Sequence, residues 1–357
     1  MLRALELARE AMGGVSPNPA VGAVLVKDGR VVGEGRTQPP GQAHAEAVAL
    51  EQAGAAAQGA TLYVTMEPCA HHGRTPPCAD ALIAASVTDV RVAMLDPDAR
   101  TDGKGVARLE AAGISVDVGE GADEAIEVVE AFAKHVTTGL PFVTAKFAMS
   151  LDGKLAARTG DARWISGDVS RIRAHQLRAE SDAIMVGIGT VLADDPRLSV
   201  RDVALRNGRQ PLRVVVDTEG RLPPAAAMLQ EPGATLVAIV ATGQARRAAL
   251  AGAGAEVVEL PAATEGVDVA KLLVLLGEQE VTSVLAEGGG TLLGYLFDAG
   301  LVDKVVAFVA PVIIGGLEAP SAIEGAGAES IAAALRLERV RYEQAGDDMM
   351  IVGYPAR

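Results

Sequence analysis

Both cysteines of this 357-residue chain, and three of its five histidines, fall between His44 and Cys78. The segment reads His44-Ala45-Glu46, then Glu67-Pro68-Cys69, then Thr75-Pro76-Pro77-Cys78. One imidazole and two thiolates suit a tetrahedral zinc ion whose fourth position stays open to water. His-x-Glu followed by Pro-Cys and a further Cys is the signature of zinc deaminases. The metal lowers the pKa of water towards 7, which gives a nucleophile at neutral pH. A carboxylate alongside must then carry protons to the leaving amine, and Glu46, two residues beyond His44, is placed for that. Cys78 follows two prolines at an expected helix start, where the dipole favours thiolate. The plainer alternative is two inert buried cysteines and a solvated histidine pair. It leaves the coincidence of all the motif pieces unexplained. The spacing departs from the commonest Cys-x2-Cys form: eight residues separate Cys69 from Cys78, among them His71, His72 and Arg74.

The second half, residues 141–357, has no comparable cluster and no obvious nucleophile with a base. Its distinctive segments are Lys146-Phe147-Ala148-Met149-Ser150-Leu151-Asp152-Gly153-Lys154, Arg163-Trp164-Ile165-Ser166-Gly167, Gly187-Ile188-Gly189-Thr190 running on to Asp194, and Glu287-Gly288-Gly289-Gly290-Thr291. The last sits between an expected strand and an expected helix. Glycines there let backbone approach a ligand, and the free N–H groups of a helix start can bind phosphate. A tight strand-to-helix turn explains the same triplet without a ligand. No Gly-x-Gly-x-x-Gly stands where a dinucleotide fold would need it. Trp164, the only tryptophan, suits a ligand-covering position and a core position equally.

These residues need a scaffold of alternating elements. Strands are expected at 21–26, 30–33, 60–65, 90–95 and 114–118, and helices at 2–12, 44–53, 78–85, 106–112 and 123–136. The Asp28-Gly29 turn between two β-branched runs marks a hairpin. After the Thr137–Pro141 linker the alternation restarts, with strands at 142–148, 183–186, 213–216, 235–241, 256–259, 281–286 and 305–309. Helices are expected at 169–179, 245–251, 269–279 and 291–299. This is a layered α/β pattern in two domains. Hydrophobic residues make up 49% but aromatics only 3%, so Ala, Val, Leu and Ile must build the cores. Lys and Arg number 32 against 46 Asp and Glu, a net charge of −14, which argues against nucleic-acid or membrane-surface binding. Two cysteines do not make a disulfide framework. With no apolar run of spanning length and no signal-peptide pattern, a cytoplasmic location is the expectation.

Ser16-Pro17-Asn18-Pro19, the His44 motif and the run Glu67-Pro68-Cys69-Ala70-His71-His72-Gly73-Arg74-Thr75-Pro76-Pro77-Cys78 together resemble the deaminase half of the bifunctional riboflavin-biosynthesis deaminase/reductase family. The later segments resemble the reductase half of the same family. The resemblance implies a cytidine-deaminase-like three-layer α/β/α domain over residues 1–139, then a dihydrofolate-reductase-like α/β domain over 140–357. It implies zinc on His44, Cys69 and Cys78, with Glu46 as proton carrier. Asn18, His71, Arg74 and Asp96 would hold the aminopyrimidine or its ribosyl phosphate. Lys146, Arg178, Leu198, Arg201 and Glu287 would line the reductase substrate site. Ala148, Trp164, Thr190, Asp194 and the turn Gly289, Gly290, Thr291, Leu292, Leu293, Gly294 and Tyr295 would contact NADPH. The implied reaction is deamination of 2,5-diamino-6-(ribosylamino)-4(3H)-pyrimidinone 5′-phosphate, then reduction of the ribosyl to the ribityl chain. The implied assembly is a homodimer or larger homo-oligomer. Asp98-Ala99 replaces a frequent Asn-Pro, Ala20 a larger residue, Ala70 a Ser, and Ala162 a Ser. The Asp98 change exchanges an amide donor for a carboxylate. Two rival readings are a deaminase for another nucleotide with an idle reductase half, and a zinc-stabilised binding protein without turnover.

Overall fold

The computed structural model describes residues 1–70, 77–205, 208–263 and 266–356. The chain forms two compact units, Met1–Leu140 and Pro141–Arg357.

The first unit runs α1 (Leu2–Ala11), β1 (Gly22–Lys27), β2 (Arg30–Arg36), α2 (Ala45–Ala53), β3 (Thr61–Val64), α3 (Cys78–Ala84), β4 (Asp89–Val92), α4 (Lys104–Ala111), β5 (Ser115–Val118), α5 (Ala122–Val128) and α6 (Glu130–Thr138). Its sheet has the order β2-β1-β3-β4-β5. The first three strands are antiparallel, and β3, β4 and β5 are parallel. Alternation in β1 sends Ala23 and Leu25 to one face, against Ala45, Ala49 and Ala53 of α2, while Val24 packs with Ala4 and Leu7 of α1 on the other. This is a three-layer arrangement with both sheet faces covered. The single helix expected over 123–136 is two, because Val129 leaves helical geometry (φ −107°, ψ 12°) and turns its side chain into the core.

The second unit runs β6 (Phe142–Ser150), α7 (Asp168–Ala179), β7 (Ala183–Gly187), α8 (Ile188–Asp194), β8 (Leu212–Val216), β9 (Thr235–Ile239), α9 (Gln244–Gly252), β10 (Ala255–Glu259), the short β11 (Ala262–Ala263) and β12 (Gly266–Val267), α10 (Val269–Glu278), β13 (Ser283–Glu287), α11 (Gly290–Asp298), β14 (Lys304–Ala310), β15 (Leu337–Ala345) and β16 (Asp348–Pro355). Its main sheet is ordered β10-β9-β8-β7-β13-β6-β14-β16-β15. The strands from β10 to β14 are parallel, and β16 and β15 close one edge antiparallel. In β7, Ala183 and Met185 join the core beneath α10 and α11, while Ile184 and Val186 join the opposite core with α8 and α9. Continuous apolar strands are what a parallel sheet covered on both faces requires. β14, which on sequence alone fits an interface or a core, lies inside the sheet and packs on both sides. α8 and the β15–β16 hairpin are elements the apolar pattern does not announce. Among the described residues, no helix is long and apolar enough to cross a membrane.

Candidate active sites

In the first unit, α2 carries His44 at its N-cap and Glu46 in its first turn. The helix can lie this close to the sheet because β2 is bare where it crosses. A Cβ on Gly35 would fall 2.1 Å from the Ala45 carbonyl oxygen, and one on Gly33 2.2 Å from that of Ala49. Small residues on both sides therefore set the depth of His44 and Glu46. Cys69 follows β3, and Cys78 is the first residue of α3. The His44 Nδ1 lies 3.3 Å from the Cys78 Sγ and 3.7 Å from the Cys69 Sγ, and the Cys78 N–H donates to the Cys69 Sγ at 3.3 Å. The ligand atoms of all three residues lie within 4.8 Å of one another.

The chemistry of this donor set fits zinc. Contact with Cys78, reinforced by His44, pushes the Cys69 thiol down to about 4, while the same contact and burial push the Cys78 thiol up. Two sulfurs so placed hold one proton between them, and both ionise only if a cation sits among them. Glu46 is 4% exposed. Burial, helped by the Cys69 charge, pushes its carboxyl up to about 7.

Glu67 is a residue whose role the sequence does not reveal. Its buried carboxylate accepts four backbone N–H groups, from Asp96 (3.2 Å), Gly103 (2.8 Å), Gly105 (2.8 Å) and Val106 (3.0 Å). It thus caps α4 from outside and ties the Pro68-Cys69 turn to the Asp96 segment. Asp96 is buried, and burial pushes its carboxyl up to about 6. Asp98, the departure from the family pattern, is held by the Arg100 guanidinium (2.8 Å) and donates its N–H to Asp96. Its extra charge is therefore matched locally. Asn18 is half-buried in the turn after α1, its N–H donating to the Val15 carbonyl. His71 and Arg74 lie outside the described residues.

In the second unit, the candidate residues gather at the carboxyl ends of β6, β7 and β13, where ligands of parallel sheets bind. Glu287 ends β13 and is in register with Lys146 of β6. Arg178 of α7 grips Glu287 through two N–H groups (2.5 and 2.8 Å), and the Lys146 Nζ lies 3.8 Å from the same carboxylate. Burial works against the charge of Glu287, yet Arg178 and Lys146 overcome it and hold the carboxyl at about 2. Burial, with Arg178 alongside, pushes the Lys146 ammonium down. Arg178 also donates to the Ser199 carbonyl (3.3 Å), and Arg201 to the Ser199 hydroxyl (3.0 Å). Leu198 of the same segment is buried.

Of the residues expected at the nucleotide, the structure brings Thr190 to the glycine turn. Gly288 and Gly289 have φ of +80° and +79°, and a Cβ on Gly289 would fall 3.0 Å from the Thr190 hydroxyl. α11 starts with no side-chain cap, so its first N–H groups point at whatever occupies the turn, as a pyrophosphate requires. The Leu293 N–H is already bonded to the Gly289 carbonyl, and Leu292 and Leu293 are core residues. Gly290 and Gly294 are small for packing: a Cβ there would collide with Ser321 and Glu324 backbone. Thr291 donates to Glu324, and Tyr295 packs partly against the core. Trp164 is 70% exposed, with the Arg171 guanidinium 4.6 Å over its ring, so it is no core residue. Arg163 ties its loop to the Asp194 carbonyl. Ala148 lies two residues beyond Lys146 on β6.

Residues 141–351 match the family described as "RibD C-terminal domain", and residues 1–94 the "Cytidine and deoxycytidylate deaminase zinc-binding region". The riboflavin biosynthesis protein RibD of Aquifex aeolicus is 42% identical over 98% of this chain and 96% of its own length, and that of Escherichia coli 42% identical over 88% of each. The solved structure of Acinetobacter baumannii RibD superimposes with a TM-score of 0.89, at 40% identity, over 100% of this chain and 98% of that one. A diaminohydroxyphosphoribosylaminopyrimidine deaminase/5-amino-6-(5-phosphoribosylamino)uracil reductase from Thermotoga maritima superimposes with a TM-score of 0.85, at 33% identity, over 100% and 97%. With a zinc-type thiolate site in the first unit and an NADPH-type turn in the second, the chain belongs to the RibD family of bifunctional zinc- and NADPH-dependent deaminase/reductases of riboflavin biosynthesis.

Proposed function

We propose that residues 1–139 deaminate 2,5-diamino-6-(ribosylamino)-4(3H)-pyrimidinone 5′-phosphate and that residues 140–357 reduce the ribosyl chain of the product to ribityl. The observation that carries this is the convergence of His44, Cys69 and Cys78 within 4.8 Å, beside a buried carboxylate on the same helix turn. His44, Cys69 and Cys78 hold the zinc. When bound, zinc lowers the pKa of water and so provides a nucleophile at neutral pH. Glu46 takes up a proton as water adds to C2 of the pyrimidine and gives it to the departing ammonia. Asn18 can read the base edge through its amide. His71, Arg74 and Asp96 are assigned to the aminopyrimidine or its ribosyl phosphate.

The second step reduces the sugar carbon bearing nitrogen in its open-chain imine form, reached by ring opening without redox change; NADPH, when bound, would supply the hydride, and a proton from solvent completes the amine. Lys146, Arg178 and Arg201 make a cationic pocket for the phosphorylated ribose, with Glu287 orienting the first two and Leu198 shaping the wall. Thr190, Asp194, Trp164, Ala148 and the Gly289–Tyr295 turn hold the nucleotide. The −14 charge makes such local cation pockets necessary, because the background repels an anionic substrate. We further assign the chain to the cytoplasm, where its two ligand thiols stay reduced, and to a homodimer or larger assembly, on the family resemblance.

Cys78→Ala tests the metal set and the division of labour together. Zinc per chain should fall well below one and ammonia release should be lost, while NADPH-dependent reduction of the deaminated ribosyl compound persists. Unchanged zinc stoichiometry would mean that the ligands are misassigned. Loss of both reactions would contradict the two-domain assignment.

A further inference from the structure

His175 stands on α7 three residues before Arg178, which places both on one helix face. It is 9% exposed, and neither half-reaction uses it as described above. Its Nδ1 accepts the backbone N–H of Arg201 at 3.2 Å. An accepting Nδ1 requires a neutral ring with the proton on Nε2.

The segment it holds is unusual. Leu198 and Asp202 both have positive φ, +48° and +62°, a conformation costly for residues with a side chain and kept only where surroundings enforce it. Three side chains do the enforcing. Gln210 brackets Val200, accepting its N–H at 2.7 Å and donating to its carbonyl at 3.2 Å. Arg178 holds the Ser199 carbonyl at 3.3 Å. His175 holds Arg201 itself, whose guanidinium then reaches the Ser199 hydroxyl.

We propose that His175 is a positioning residue of the reductase site: as a neutral hydrogen-bond acceptor it fixes the backbone of Arg201 and so aims the guanidinium at the anionic end of the substrate. The proposal rests on the assignment of Arg178 and Arg201 to that substrate. Protonation of His175 turns its acceptor into a donor facing another donor, and the hold is lost. The charged groups facing it are Arg178 of α7, Arg201 and Asp202 of the segment, and Glu287 of β13; burial and the two arginines push its pKa below the ordinary histidine value. The C-terminal hairpin meets α7 instead at Ser170 and Arg173, through Asp348 and Glu343.

The test is steady-state reduction of the phosphorylated ribosylaminouracil by the full chain. His175→Ala should raise KM for that substrate about tenfold with kcat changed less than about threefold, the loss of one buried hydrogen bond, and should leave deamination unchanged. In His175→Asn the side-chain oxygen can stand where Nδ1 stood and cannot be protonated, so KM should return to within about threefold of the wild type. On acidification the wild-type KM should rise relative to His175→Asn, a comparison that cancels the substrate phosphate's own titration near about pH 6. Wild-type KM in the alanine variant, or an asparagine variant no better than alanine, overturns the proposal. If the alanine variant does not fold, the KM-against-pH comparison of wild type with His175→Asn decides, and parallel profiles overturn the proposal. Arg201→Ala separates the two assignments. A raised KM there with no effect at His175 refutes only the positioning role. No effect at Arg201 refutes the substrate assignment and this inference with it.

Discussion

Glu46→Gln should leave about one zinc per chain and lower the rate of ammonia release by about 10²- to 10⁴-fold, the usual contribution of a positioned proton carrier. The amide has the size of the carboxyl and keeps one acceptor oxygen, so α2 has no reason to move. That helix is set by Ala45, Ala49 and Ala53 against Gly33 and Gly35, none of which the substitution touches. What the amide cannot do is take up and release a proton. Metal analysis and an ammonia assay on the same sample distinguish the outcomes. Near-normal ammonia release would remove Glu46 from the mechanism, and loss of zinc would show that it supports the metal rather than the reaction.

Glu287→Ala should cost the second unit about 3–5 kcal/mol of stability, because it leaves the buried Arg178 and Lys146 without their shared counter-ion. Denaturant unfolding of the full chain followed by amide hydrogen exchange of the second unit's strands reads this loss separately from the first unit. The pH dependence has a definite sign. Glu287 is held at about 2, below its ordinary 4.5, so its stabilisation is fully present above pH about 4.5 and is lost as pH falls towards about 2. The shift corresponds to about 3 kcal/mol. The alanine variant should therefore be less stable at neutral pH and show a flatter loss of stability across that acid range. Equal stability of variant and wild type at pH 7 would mean that the cluster is not held together by Glu287. Reduction should also fail, because two unpartnered cations no longer keep their spacing.

How much of this was legible before folding differs between the two sites. The zinc set was legible because metal chemistry demands particular residue types, and both cysteines of the chain meet the demand. The parallel strands of the second unit were legible because burial on two faces leaves unbroken runs such as residues 214–216 and 236–239. The β15–β16 hairpin was not. β15 is an exposed edge strand, written Leu-Glu-Arg-Val-Arg-Tyr-Glu-Gln-Ala, and its solvent side carries no apolar signal. α8 is short, and its Ile188 and Val191 alone face the core. Glu67 appears in the motif beside Cys69, but its role as a cap for α4 depends on backbone N–H groups 29 to 39 residues away. His175 is a lone histidine on an amphipathic helix, and only the return of the Arg201 backbone gives it a partner. Within the Gly289–Tyr295 turn that the resemblance assigns to the cofactor, Gly290 and Gly294 also admit the 321–325 backbone, a packing role that no motif announces.

One chain should perform two consecutive reactions on one phosphorylated pyrimidine. The measurement that tests it most directly is incubation of the zinc-loaded full chain with the diaminopyrimidine ribotide, with and without NADPH, following ammonia release and NADPH oxidation together. Ammonia should appear without NADPH, and one NADPH should be oxidised per ammonia when the cofactor is present. With NADPH present, ammonia release without any NADPH oxidation, or reduction of the diamino compound without ammonia, would contradict this.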